Sequence, residues 1–182
     1  MSMFPQFRTP PPPTITPFHD DSIGRALVSN NFLFAGAVSA VYITANMAFY
    51  VPFILSESFP LKRMFVHNGA TASGATDLGI FTNEGHRIVS ASSSGNVLTQ
   101  AGVSVIQYYD LTDTTLTPGQ YLMAISHSDI VGTVFRSAPQ VNVTRQYGVF
   151  QQATAHPLPV TATFAPMTSI YMPMFGLSQR TF

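Results

Sequence analysis

The chain has 182 residues, of which 46% are hydrophobic and only 9% charged, and its formal net charge is +0. That length suits one domain with extensions and is enough to bury a real hydrophobic core. With no basic excess there is little to neutralise a nucleic-acid backbone, and with no cysteine there are no disulfides and no thiolate metal sites.

An average soluble domain carries about 25% charged residues. Here Lys62 is the only lysine. An isolated monomer normally covers itself with mixed charge, so this composition points to neighbours that cover part of the surface. A neutral, Ser/Thr-rich monomer is the alternative. Residues 26–56 contain no charge and are long enough to cross a bilayer. Asn30, Asn31, Asn46 and Pro52 interrupt them, and the apolar piece between the asparagines is too short, so no membrane span is expected.

In chain order, residues 1–17 read as an arm. Pro10, Pro11, Pro12 and Pro13 are consecutive, flanked by Pro5 and Pro17; such a segment favours polyproline II and forms no ladder. No apolar core of a secretion signal precedes the prolines. His19, Asp20 and Asp21 would suit a cation, but an acidic pair without further ligands reads better as a turn or a helix start. Phe32 and Phe34, in FLFAG, fit a first buried strand or a contact segment. Residues 1–37 are therefore assigned to an extended arm and contact segment, 38–177 to the folded domain and 178–182 to a short tail.

Residues 47–55 place Met47, Phe49, Val51, Phe53 and Leu55 at every second position, the period of a strand with one buried face. Pro52, on the other face, predicts an edge or a bulge. Residues 61–67 are a further strand, and Asn68-Gly69 predicts a turn, because both tolerate positive φ. Residues 76–81 form a strand with Leu78 and Ile80 on one face. Residues 82–86 join it to residues 87–92, with Gly85 at the left-handed position of a hairpin. Residues 90–96 (SASSSGN) read as an exposed loop.

Residues 103–111 are a strand, and Pro118-Gly119 predicts the centre of a type II turn. Residues 120–126 are apolar on both sides, which predicts a central strand covered on both faces. Residues 131–136 form another strand, and residues 140–152 are polar and aromatic. Asn142-Val143-Thr144 matches the glycosylation pattern, which bears only on a eukaryotic secretory setting. Residues 160–164 and 170–175 are expected as closing strands, with Met172, Met174 and Phe175 folding back onto the domain or meeting a neighbour. Together these features predict an all-β fold, an antiparallel β-sandwich (jelly-roll-like) with an extended proline-rich N-terminal arm.

The chemistry is sparse. Ser126-His127-Ser128-Asp129 sets three catalytic residue types side by side, but a triad is assembled in space from separate elements, and no Gly-x-Ser-x-Gly elbow accompanies it. Capping and turning roles fit Ser126 and Asp129 better. The five histidines (His19, His67, His86, His127, His156) show no metal-binding spacing, although His67 and His86 flank predicted turns and are candidates to approach one another. The carboxylates Glu57, Asp77, Glu84, Asp110, Asp113 and Asp129 are isolated. No cofactor is expected and no enzyme activity is read. Tyr108, Tyr109, Tyr121 and Tyr147 are candidates for a sugar platform, against the more general use of tyrosine in cores and contacts.

The segments FYVPFILSESFPLKRMFVHNGATASGATDLGIFTNEGHRIVSASS and YYDLTDTTLTPGQYLMAIS, with the closing PLPVTATF and YMPMFGL, resemble a β-sandwich module of tailed-bacteriophage virion proteins. The marks are Phe49, Tyr50 and Pro52, the run from Asp77 to Phe81, and the turn from Leu116 to Tyr121. The resemblance covers residues 38–177. It implies a virion structural protein without catalytic residues: a capsid decoration or cement subunit, or a tail or neck accessory. Such a subunit would act as a homo-oligomer and with other virion proteins, the major capsid or tail and neck proteins. Its expected contacts are Pro10, Pro11, Pro12, Pro13, Phe32, Phe34, Met172, Met174 and Phe175. The alternative is a glycan- or receptor-binding module of a phage fibre, with a host glycan as ligand.

Overall fold

The computed structural model describes residues 19–20, 24–28, 38–137, 141–169 and 171–179. The strands are β1 (His19–Asp20), β2 (Gly24–Val28), β3 (Val38–Val41), β4 (Ala48–Leu55), β5 (Phe59–His67), β6 (Thr76–Thr82), β7 (Arg87–Ser90), β8 (Ile106–Leu116), β9 (Gly119–His127) and β10 (Thr133–Ser137). A short helix, α1 (Val141–Gln146), precedes β11 (Phe150–Gln152), β12 (Ala165–Pro166), β13 (Met172–Pro173) and β14 (Phe175–Ser178). A five-stranded sheet runs β1-β2-β14-β5-β8, a six-stranded sheet β12-β11-β4-β9-β6-β7, and a three-stranded sheet β13-β10-β3. The long pairs β4–β9, β6–β9 and β5–β8 are all antiparallel.

The side-chain period makes the sandwich. Phe49, Val51 and Leu55 of β4, Met123 and Ile125 of β9, and Leu78 and Ile80 of β6 face one way. They join Met64 and Val66 of β5, Tyr109 and Leu111 of β8, and Phe175 and Leu177 of β14 in one core between the two large sheets. The alternate residues Ala48, Tyr50, Phe81, Leu122 and Ala124 do not face solvent. They are covered by Ala155, Leu158 and Ala162, with Phe150 and Phe164 packed alongside. The middle of the six-stranded sheet is therefore buried on both faces, as expected for β9; for β4 the expectation of a single buried face is corrected at Ala48 and Tyr50, while Ile54 on that face is exposed. The β11 pairing reaches only Ala48, Phe49 and Tyr50, so Pro52 falls where that side of β4 is an edge among the described residues.

Gly85 adopts φ 91° in the β6–β7 hairpin, as its position in the sequence requires. Other turn readings are corrected. Asn68-Gly69 forms no tight turn and neither residue has positive φ: Asn68 bridges to Val134, and a side chain on Gly69 would collide with Ser39 Oγ and Thr133 Oγ1. Gly119 is not among the left-handed glycines and begins β9, so Thr117 and Pro118 carry the chain from one sheet to the other without a type II turn. Ser90 and Ala91 are buried, so the serine-rich loop is anchored at its start. Residues 160–164 are irregular apart from a bridge between Thr161 and His86.

Gly24–Val28, assigned above to the arm, pairs with β14, Leu177 opposite Leu27. That part of the expected arm is a strand of the five-stranded sheet. Pro10, Pro11, Pro12, Pro13, Phe32 and Phe34 lie outside the described residues. No helix of the described residues is long and apolar enough to cross a membrane.

Candidate functional site

The Ser-His-Ser-Asp run lies where β9 ends and the chain turns towards β10. Alternation along the strand sends its side chains to different partners. His127 is fully buried. Its Nδ1 lies 2.9 Å from Thr76 Oγ1 and its Nε2 3.2 Å from Asp129 Oδ1. Desolvation holds the His127 pKa below its usual value, against the opposing pull of Asp129, so the imidazole is neutral at neutral pH. The Asp129 carboxylate assigns the proton to Nε2, leaving Nδ1 to accept from the threonine hydroxyl.

Asp129 also accepts from Ser73 Oγ at 2.8 Å and from the backbone N–H groups of Val131 and Gly132 at 3.0 and 2.9 Å. Burial pushes its pKa up, but these bonds outweigh it and hold the carboxyl below its ordinary value. Ser128 Oγ accepts from Ala75 N at 2.8 Å, and Ser126 Oγ lies 3.0 Å from His156 Nδ1. His127 thus bonds to neither adjacent serine. The arrangement is a set of cross-links that fixes the ends of β6 and β9.

A second buried polar group centres on Asp77, opposite Ser126 in the β6–β9 register. Its Oδ2 accepts from Ser92 Oγ at 2.6 Å and Leu158 N at 3.0 Å, and its Oδ1 from Ser92 N at 3.0 Å. Read as isolated in sequence, this carboxylate joins three segments of the fold.

The remaining candidates separate. Among the described residues no cluster of three or more His, Asp or Glu is placed to hold a metal ion. His67 stacks on Phe135 at 4.0 Å, while His86 sits at the far hairpin beside Thr161. Tyr109 is in the core, Tyr121 donates to Thr117 O at 2.9 Å, and Tyr108 and Tyr147 are exposed. Met172 and Phe175 are fully buried in the main core. They fold back into this chain's own sandwich. Met174 is partly buried, and its backbone links β10 to β5 through Phe135 O and His67 N.

A different feature stands out at one end of the sandwich. Asn68 N donates to Val105 O, Ser104 N to Gly69 O, Gly69 N to Thr133 O and Tyr42 N to Gly132 O. These bonds set residues 103–106, 130–133 and 41–42 side by side. Val41, Val103, Val105, Ile106, Ile130 and Val131 are all exposed there, Val131 at 59%. Residues 38–42, 69–71, 97–106 and 130–133, which build this rim, contain no charged residue. Below it, Asn68, Gln100 and Gln107 are joined to each other and to backbone: Asn68 Nδ2 donates to Gln107 Oε1 at 2.8 Å and Gln100 Nε2 to Thr133 O at 2.7 Å. The rim therefore has a fixed polar floor. The signal for it in the sequence is the uncharged stretch holding Val103-Ser104-Val105, read there only as the start of a strand.

Comparison with known proteins finds no family model, no curated protein and no solved structure that matches this chain.

Proposed function

We propose that the chain is a non-enzymatic structural subunit that works by assembly, of the kind that builds bacteriophage particles as a capsid decoration or a tail or neck accessory. The observation that carries this reading is the uncharged rim of exposed valines and isoleucines on a rigid sandwich end. Grouped exposed apolar residues mark interaction sites, and burying such surface yields roughly 25 cal/mol per Å². The low charge of the whole chain supports the same reading. The burial of His127 and Asp77 and the bonded state of Asp129 fit cross-linking better than turnover. The partners are further copies of this chain and other particle proteins.

Sedimentation velocity tests it. The wild-type chain is expected to self-associate with rising concentration, and Val131→Lys and Val105→Glu to remain monomeric. Equal association of all three would remove the rim as the contact.

The glycan-binding alternative rests on Tyr108, whose exposed ring lies 6.1 Å from Phe65 and beneath the Arg63 guanidinium at 5.4 Å. It predicts saturable sugar binding that Tyr108→Ala abolishes.

A further inference from the structure

We infer that Arg136 is half of an oxyanion-binding site, completed by a carboxylate or a phosphate-type anion. Arg136 lies on β10, the middle strand of its sheet, opposite Pro173 of β13 and Val38 of β3. Alternation puts its side chain on the face of Val134, which belongs to the main core. Only 9% of the residue is exposed. The guanidinium carbon stands 3.6 Å from the centre of the Tyr171 ring.

A guanidinium keeps its proton in proteins, so the charge is permanent. The tyrosine face attracts that charge, and a hydrogen bond to the Tyr171 side chain favours the charged form, but neither supplies a counter-charge. Nε and Nη1 are both buried and have no hydrogen-bond partner among the described residues. Buried charges are normally paired and hydrogen-bonded. Among the described residues, Asp113 pairs with Lys62 and Asp110 with Arg63, Asp129 meets the neutral His127, and none of these contacts involves Arg136.

The same chain pairs another such arginine with an acid. Arg63 also lies over a tyrosine, Tyr108, and its Nη2 is 2.7 Å from Asp110 Oδ1. Among the described residues, Arg136 over Tyr171 repeats the cation and the ring without the acid. Val38, directly opposite Arg136, is 60% exposed, and β3 is the outer strand of its sheet. An oxygen anion entering over Val38 would meet the guanidinium. It could come free from solution or on an acidic side chain of a neighbouring copy.

The test uses the full chain as wild type, Arg136→Met and Arg136→Lys. Thermal unfolding is followed in phosphate and in acetate against chloride at matched ionic strength, and over a range of protein concentration. For a free anion, the wild-type midpoint rises saturably, by about 5 °C or more in excess phosphate or acetate. Arg136→Met loses the rise, and Arg136→Lys, which lacks Nε and the planar fork, requires at least tenfold more anion. For a neighbour's carboxylate, the midpoint ignores both anions but climbs with protein concentration, and Arg136→Met removes that climb. The free-anion result stands on the isolated chain and is independent of the assembly reading, whose own variants are Val131→Lys and Val105→Glu. A wild type with neither response, or an Arg136→Lys response equal to the wild type's, overturns the site even if Arg136→Met fails to fold.

Discussion

Asp77 Oδ2 accepts the backbone N–H of Leu158 at 3.0 Å, joining positions 81 apart in the chain. Asp77 is fully buried in β6, and Leu158 is buried in the segment that covers the outer face of the six-stranded sheet. The same carboxylate holds Ser92 through both its backbone and its hydroxyl. One side chain thus pins the covering segment and the serine-rich loop to the sheet. Asp77→Ala is expected to cost about 3–5 kcal/mol, because the buried donors of Ser92 and Leu158 lose their acceptor. Urea unfolding measures the loss, and hydrogen exchange at the Leu158 amide should show its protection falling most.

Stability should depend on pH through the buried histidines. Burial lowers the pKa of His127 and of His156 from the ordinary 6.5. The unfolded chain takes up protons as pH falls through that value, while the folded chain resists until lower pH. Where the unfolded state holds more protons, stability rises with pH. The contribution is full above the unfolded value and is lost as pH falls through the folded ones. The urea midpoint should be higher at about pH 7.5 than at about pH 5.5, and His127→Gln should flatten that difference.

Gly132 is fixed by space. A Cβ there would lie 2.5 Å from Gln100 Oε1 and from Ser73 O, and 2.6 Å from His127 Nε2. Gly132→Ala forces apart the bonds that tie the end of β9 to the following turn. A loss of about 1–3 kcal/mol is expected in chemical denaturation, together with a changed pH slope as His127 loses its alignment with Asp129.

Tyr42 tests the junction between β3 and the main core. It is buried, and its hydroxyl faces Met47 O at 3.0 Å and Ile125 O at 3.2 Å. Tyr42→Phe keeps the ring and removes the donor. It should lower stability by about 1 kcal/mol, read as a reduced urea midpoint with an unchanged slope.

Much of the sheet framework was legible because the period of the strands survives in the chain. Phe49, Val51 and Leu55, and Leu78 and Ile80, point where their spacing says. Residues 120–126, apolar on both sides, are the central strand that such a pattern demands. Turn chemistry was less informative, because Asn68-Gly69 and Pro118-Gly119 permit a turn without requiring one. Gly69 is small because Ser39 and Thr133 crowd it, a fact of tertiary packing. Asp77 looked isolated because its partners, Ser92 and Leu158, come together only when the outer segment folds back. The apolar rim escaped notice for a related reason. Val105 and Val131 alternate like core residues, and only the end-on crossing of their loops leaves them outside.

The proposed role as a particle subunit is tested by counting copies of the chain in purified particles from its source, by quantitative mass spectrometry against the major coat protein. A fixed stoichiometry is expected, comparable with the coat protein for a head decoration or a few to a few dozen copies for a tail or neck subunit. Absence of the chain from the particles would contradict it.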